Sequence, residues 1–334
     1  MHLLLIGGTS FLGRHTAAEA LGRGWAVTTF NRGRSGPDVD GVEALRGDRE
    51  RAEDLAQLSG RSFDVVVDTC GFVPRVVGQT VAALAGCGAY YVFVSSISAT
   101  TIWPARPTPD DDPGQDCPPD AGPEDGDYGR LKAGCERAVT DVFAESATIV
   151  RAGLILGPHE NVGRLPWWLD RMACGGEVVA PGSPDVPMQL VDARDLAAFM
   201  LDCGEHEVAG TCNATGPRGN ASMGSWLGDC LTATAAGASL TWVDDQTLLA
   251  HDVEPWTELP LWMPLGQDAD HVWNAETAAA EGAGLRCRPV TETVLDTWAW
   301  MQAGGRVPDA PPHDHLPRHG LDAEKEQRIL AAVR

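Results

Sequence analysis

Tyr128 and Lys132 stand four residues apart in the run Asp127-Tyr128-Gly129-Arg130-Leu131-Lys132. Two residues at that spacing on a helix share one face. An ammonium beside a phenol favours the phenolate and so suits the phenol to proton transfer. Far upstream, the apolar run His2–Ile6 turns through Gly7-Gly8-Thr9-Ser10-Phe11-Leu12-Gly13 into a helix reaching about Gly22. A glycine turn between a first strand and a first helix lets a pyrophosphate lie against backbone N–H groups at the helix N-terminus. Together, in this order, the two features point to a dinucleotide-dependent redox enzyme.

The elements that must position these residues alternate. Strands are expected at Trp25–Asn31, Val42–Leu45, Phe63–Asp68 and Ala89–Val94, with helices at Ala52–Leu58 and Pro74–Leu84 between them. Near-continuous apolar strands separated by helices mean a parallel sheet covered on both faces, an α/β doubly wound Rossmann arrangement. Further sheet strands are expected at Thr148–Val150 and Met188–Val191, and helices at Leu165–Cys174 and Ser222–Ala235. Residues 104–127 are rich in Pro, Asp and Gly and read as a long loop without a core, either bordering the active site or a solvated acidic insert. The resulting division places a dinucleotide-binding domain at 1–157 plus about 186–216. A smaller, mixed substrate-binding region takes about 158–185 and 217–303. Residues 304–334 form a linker and a terminal helix.

Composition sets outer bounds. The chain has 334 residues, a net charge of −22 and 43% hydrophobic residues, as in an ordinary globular protein. Nucleic-acid binding relies on Lys and Arg neutralising phosphates, so an acidic surface argues against such a partner. No run of 18 apolar residues predicts a membrane span, and Leu3–Ile6 is too short for a signal peptide, so a cytoplasmic enzyme is expected. Nine scattered cysteines without a C-x-x-C pair read as reduced thiols.

Six motifs in one order carry a resemblance. They are Gly7-Gly8-x-x-Phe11-Leu12-Gly13, Gly47-Asp48, Val94-Ser95-Ser96, Tyr128-x-x-x-Lys132, Arg151-x-Gly153-x-x-x-Gly157-Pro158 and Val191-Asp192-x-x-Asp195-Leu196-Ala197. Over roughly residues 1–300 the chain resembles an extended or atypical short-chain dehydrogenase/reductase of the NAD-dependent epimerase/dehydratase superfamily. The resemblance implies Tyr128 as general acid/base, with Lys132 lowering its pKa and holding the nicotinamide ribose. It implies Ser96 as the hydrogen-bond donor to the reacting oxygen, with Ser95 and Ser98 as close alternatives. The turn from Gly7 to Gly13, including Thr9, Ser10, Phe11 and Leu12, would hold the pyrophosphate. Ser10 departs from the family, which commonly has glycine there, and a changed turn is expected. A homodimer through Pro74–Leu84 and the helix beginning at Tyr128 is also implied.

Cofactor choice turns on the end of the second strand, where an acidic residue would favour NAD. This chain has Asn31-Arg32-Gly33-Arg34 instead, and Arg32 and Arg34 could clamp a 2′-phosphate, so NADP(H) is favoured over NAD(H). Asp48 is expected to contact adenine. Nucleotide-sugar members of the superfamily usually carry Asn where this chain has Leu154, and dehydratases pair acidic residues where it reads Ser96-Ile97-Ser98. Those absences favour reduction of a carbonyl, or oxidation of an alcohol, in a small metabolite. The alternatives are a nucleotide-sugar epimerase or dehydratase with tightly bound NAD, and a non-catalytic RNA-associated or regulatory protein.

The substrate pocket is expected among Trp167, Trp168, Trp256, Trp262 and Met263, with Arg164 and Arg171 as potential anchors for an acidic group. His313, His315 and His319 form too weak a pattern for a metal site, and the chemistry needs none.

Overall fold

The computed structural model describes residues 1–266, 270–308 and 319–334. Its backbone forms two compact units, one of residues 1–154, 193–215 and 274–287, the other of residues 155–192, 216–273 and 288–334.

The first unit is built on a seven-stranded sheet. Its elements are β1 (His2–Ile6), α1 (Phe11–Gly22), β2 (Ala26–Asn31), β3 (Glu43–Arg46), α2 (Ala52–Leu55), β4 (Val65–Asp68), α3 (Pro74–Leu84), β5 (Tyr90–Ser96), α4 (Tyr128–Phe143) and β6 (Ala147–Ala152). The sheet order is Gly210–Ala214, β6, β5, β4, β1, β2, β3, with every pairing parallel. Leu3–Ile6, Val65–Val67 and Tyr91–Phe93 are essentially inaccessible, as strands covered on both faces must be. Register puts Ile6 beside Asp68 and Ser96 beside Ala152. The segments after these strands therefore gather at one carboxyl edge, where open α/β sheets bind ligands.

Two sequence expectations are corrected. Met188–Val191 is not a strand of this sheet: Pro187–Met188 pairs antiparallel with Ala221–Ser222 in the second unit. The seventh sheet strand is Gly210–Ala214, anchored by Asn213, whose side-chain amide donates to the carbonyls of Thr108, Pro109 and Glu276. Second, residues 104–127 are not without a core. Thr108, Asp112, Cys117 and Ala121 are buried. Asp112 accepts bonds from Thr101 N, Thr101 Oγ1 and Gly114 N, which satisfies main chain that the composition suggested was solvated.

The same segment lies over α3 and α4. Arg137 on α4 donates to Cys117 O, Arg75 N on α3 donates to Ala121 O, and a Cβ on Gly134 would meet Cys117 Sγ at 2.7 Å.

The second unit holds a parallel pair of strands, Gly176–Pro181 with Ala238–Val243, and helices Arg164–Ala173, Met223–Thr234, Val290–Gln302 and Ala323–Ala332. Trp168 and Trp226 meet edge to face in its core. None of the described helices is long and apolar enough to cross a membrane.

Candidate active site

The glycine turn follows from steric demand. Gly7 and Gly8 adopt φ of 116° and 103°, where a Cβ would strike Thr69 Oγ1 at 2.6 Å and Thr29 Cγ2 at 2.8 Å. At Gly13 a Cβ would lie 2.7 Å from Gly8 N, so its absence lets α1 begin directly against the turn. Ser10 occupies the helix N-cap at φ −135°, an extended conformation any residue adopts, and the positive φ falls on Phe11 at 29°. Serine at this position therefore requires no left-handed backbone. The first turn of α1 contains no acidic side chain. A helix N-terminus without acidic side chains, after a close-packed glycine turn, suits a pyrophosphate, so the residues present fit a dinucleotide.

The end of β2 is stapled to this turn. Asn31 Nδ2 donates to Gly7 O at 2.8 Å, Arg14 Nη1 donates to Pro37 O, and Gly36 leaves room for Thr9 O at 2.8 Å from its would-be Cβ. Asn31 Oδ1 receives Gly33 N and Arg46 Nη1 at 2.8 and 3.1 Å. Arg32 reaches Asp48 at 4.0 Å, while Arg34 is exposed. Arg46, at the end of β3, is a third guanidinium here that sequence reasoning missed. It is ion-paired with Asp38 and lies over Gly33, whose Cβ would meet Arg46 Nε at 2.7 Å. Its signal was available only through the parallel pairing of Asn31 with Arg46.

Tyr128 is the first residue of α4, capped by Asp127, whose carboxylate accepts Arg130 N at 2.9 Å. Gly129 presses the helix start against the turn after β5: a Cβ there would lie 2.2 Å from Ser98 O. Gln115 Nε2 donates to that same oxygen. This contact brings Tyr128, 42% exposed, to the turn that carries Ser96. Ser96 is half-buried and its Oγ accepts Ser98 N at 3.2 Å, which leaves its O–H to donate. Ser95 points instead into the core, donating to Glu136, which Arg151 grips through Nε and Nη2 at 3.0 and 2.7 Å. Arg151 Nη1 also donates to Asp112 O at 2.7 Å, tying α4, β5, β6 and the loop together.

Lys132 is only 3% exposed. Its Nζ donates to Gly71 O and Val94 O, each at 2.6 Å, and lies 4.4 Å from the Phe93 ring centre.

Beneath the carboxyl edge, Arg49 binds both oxygens of Asp68 at 2.9 and 2.7 Å, and Tyr91 Oη donates to Asp68 at 3.0 Å. Burial works against the Arg49 cation. The charge of Asp68 and the bonds to it outweigh that penalty and hold the Arg49 pKa above its ordinary value. Burial, then the Asp68 charge, pushes the Tyr91 phenol well up. Burial also drives the neighbouring Cys70 thiol up to about 11, which leaves it a poor nucleophile.

In the second unit, Trp168 is fully buried and donates to Pro260 O, a packing role. Trp262 and Met263 line a shallow recess with Gly182, Met223, Asp245 and Trp273, where Asp245 accepts Trp262 Nε1 at 2.9 Å. Trp167 and Trp256 are half-buried elsewhere in the unit. Arg171 is not available as a substrate anchor: it is bound to the buried Glu326 at 2.7 Å and to Gly175 O and Glu177 O. Arg164 lies beside the Glu160 carboxylate. His319 faces Thr257 O, and His313 and His315 lie outside the described residues. Among the described residues no cluster of three His, Cys, Asp or Glu could hold a metal ion.

A profile described as the NAD dependent epimerase/dehydratase family matches residues 3–214. No curated protein matches the chain by sequence. Among solved structures, the UDP-glucose 4-epimerase of Thermotoga maritima with UDP-glucose superposes with TM-score 0.68 at 16% identity, covering 91% of this chain and 99% of that one. Bordetella bronchiseptica WbmG in complex with NAD and UDP gives 0.66 at 17%, covering 90% and 94%. A dTDP-4-dehydrorhamnose reductase from Clostridium acetobutylicum gives 0.62 at 16%, covering 90% and 100%. At these identities the likeness concerns the fold.

Proposed function

We propose, from a chain that belongs to the NAD dependent epimerase/dehydratase family, that this protein is a nicotinamide-dependent oxidoreductase interconverting a carbonyl and an alcohol on a small metabolite. The observation that carries the reading is the seating of Tyr128. Tyr128 is a solvent-accessible phenol on the first residue of a helix whose start Gly129 packs against Ser98 O, which supports proton exchange with an oxygen held by Ser96.

In this reading the Ser96 hydroxyl donates a hydrogen bond to the reacting oxygen and keeps its proton, and Tyr128 supplies or removes the one proton exchanged there. The bound nicotinamide supplies or accepts the hydride. Lys132 lies one helical turn from Tyr128 and holds the nicotinamide ribose. Gly7, Gly8, Thr9, Ser10, Phe11, Leu12 and Gly13 receive the pyrophosphate, and Asp48 the adenine. Arg32 and Arg34, with Arg46 added by the geometry, surround a turn that lacks a carboxylate at Asn31, which supports NADP(H) over NAD(H). Ser96-Ile97-Ser98 and Leu154, in place of an acidic pair and an asparagine, favour redox over dehydration or nucleotide-sugar chemistry.

Calorimetric titration with NADPH and NADH, on wild type and Arg32→Ala/Arg34→Ala, tests the cofactor. The expected result is tighter NADPH binding that falls to the NADH level in the double variant. Tyr128→Phe is expected to retain NADPH binding and lose about 10²- to 10⁴-fold in turnover of carbonyl substrates. NADH preference, together with NAD retained through purification and no net NADPH consumption, would favour the epimerase reading suggested by the UDP-sugar-binding structural relative.

A further inference from the structure

The short turn after β4, Thr69-Cys70-Gly71-Phe72, contacts the glycine loop at one end and Lys132 at the other. Thr69 N and Oγ1 both donate to Ile6 O, at 3.2 and 3.1 Å. Thr69 Oγ1 is the atom that a Cβ on Gly7 would meet at 2.6 Å and one on Gly13 at 3.1 Å, so the turn forms the floor under the glycine loop. Asp68, immediately before it, accepts Cys70 N and holds Arg49, next to Asp48. At its far end Gly71 has no room for a side chain, since a Cβ would lie 2.5 Å from Phe93 Cε2 and 2.8 Å from Val77 Cγ2. Its carbonyl is taken by Lys132 Nζ at 2.6 Å.

The ammonium closes the span. It bridges Gly71 O to Val94 O on β5, between the rings of Phe93 and Phe72 at 4.4 and 5.3 Å. Charge-assisted bonds to carbonyls in a poorly hydrated site are stronger than neutral ones. Contact with the aromatic faces adds to them.

We propose that Lys132 is a positioning residue for the whole dinucleotide loop. By bolting the Thr69–Phe72 turn to β5, it sets the floor on which Gly7 and Gly13 pack, and so governs binding of the adenine–diphosphate half of the cofactor. This role is separate from contact with the nicotinamide ribose, and it rests on the reading that the glycine loop binds a dinucleotide.

ADP separates the two roles, because it carries the adenosine and diphosphate but no nicotinamide ribose. Its affinity would be measured by calorimetry on wild type and Lys132→Met, well below each melting temperature. The expected result is an ADP affinity lowered at least tenfold in K132M. A lysine serving only overall stability would lower the melting temperature and leave ADP affinity unchanged. ADP affinity within twofold of wild type, with NADPH and NADH weakened, would overturn the proposal and confine Lys132 to the ribose. Wild type that binds neither ADP nor NADPH nor NADH would overturn the dinucleotide reading itself and the proposal with it. Gly71→Ala provides a second route that leaves the ammonium in place: displacing the turn is expected to weaken ADP as well, and unchanged ADP binding in G71A would count against the proposal even if K132M does not fold.

Discussion

At the scale of single residues, the carboxyl edge is held by buried charges whose partners are fixed. Asp68 is inaccessible, and its two oxygens are shared among Arg49, Tyr91 and Cys70 N. Removing one member of such a pair leaves the other charge without solvent or counter-ion, and costs more than the intact pair contributes. Asp68→Asn is expected to destabilise the protein by about 3–5 kcal/mol. Replacing both partners, as in Asp68→Leu/Arg49→Met, should cost clearly less, because no orphan charge remains. Urea unfolding of the single and double variants checks this. A single-variant loss below about 1 kcal/mol, the range of an exposed pair, would mean that water reaches Arg49. The same logic separates Ser95 from Ser96. Adjacent in sequence, they alternate across the strand, so one is spent on Glu136 in the core while the other accepts Ser98 N in the turn after β5.

At the scale of elements, the start of α4 decides where the phenol sits. Gly129 is demanded by Ser98 O, a main-chain atom that cannot rotate away. Gly129→Ala should push the helix start off the turn, at a cost of about 1–3 kcal/mol in stability. Because a displacement of ~1 Å at a reacting group can cost about 10²-fold, turnover should fall far more than cofactor affinity does. Parallel measurement of kcat and NADPH Kd reads this split, and equal losses in both would deny Gly129 its seating role. Elements like β1, β4 and β5 were legible because long apolar runs declare a strand buried on both faces. Gly210–Ala214 was not, since its sequence Gly-Thr-Cys-Asn-Ala lacks that signature and its place depends on Asn213 meeting three distant carbonyls. The spacing of Tyr128 and Lys132 was plain. That Lys132 is bound to Gly71 and Val94, and that Arg46 joins Arg32 and Arg34, depended on strand register. Composition also misjudged the 104–127 segment, because an Asp that satisfies local main chain and an Asp in water look alike in sequence.

At the scale of the whole molecule, stability should depend on pH through one buried acid of the second unit. Glu160, in the second unit, is fully inaccessible and accepts Arg164 N and Leu165 N at the start of the helix Arg164–Ala173. Burial pushes its carboxyl up to about 7, against the lowering pull of Arg164 and the helix N–H groups. An acid whose folded pKa is raised binds its proton more tightly in the native state. Its contribution is therefore most favourable below the unfolded value near 4.5 and is lost as pH rises through about 7. At about 1.4 kcal/mol per unit, the loss over that window amounts to roughly 3 kcal/mol. The net charge of −22 acts in the same direction, since acidification relieves self-repulsion, so wild type alone would not isolate Glu160. Glu160→Gln does, because it mimics the protonated acid. The variant should match wild type near pH 5 and exceed it by up to about 3 kcal/mol near pH 8. Urea unfolding followed by tryptophan fluorescence reports the relevant unit, since every tryptophan except Trp25 and Trp103 lies there. A difference between the two proteins that does not change with pH would show that Glu160 is ionised throughout, stabilised enough by the helix start to offset its burial.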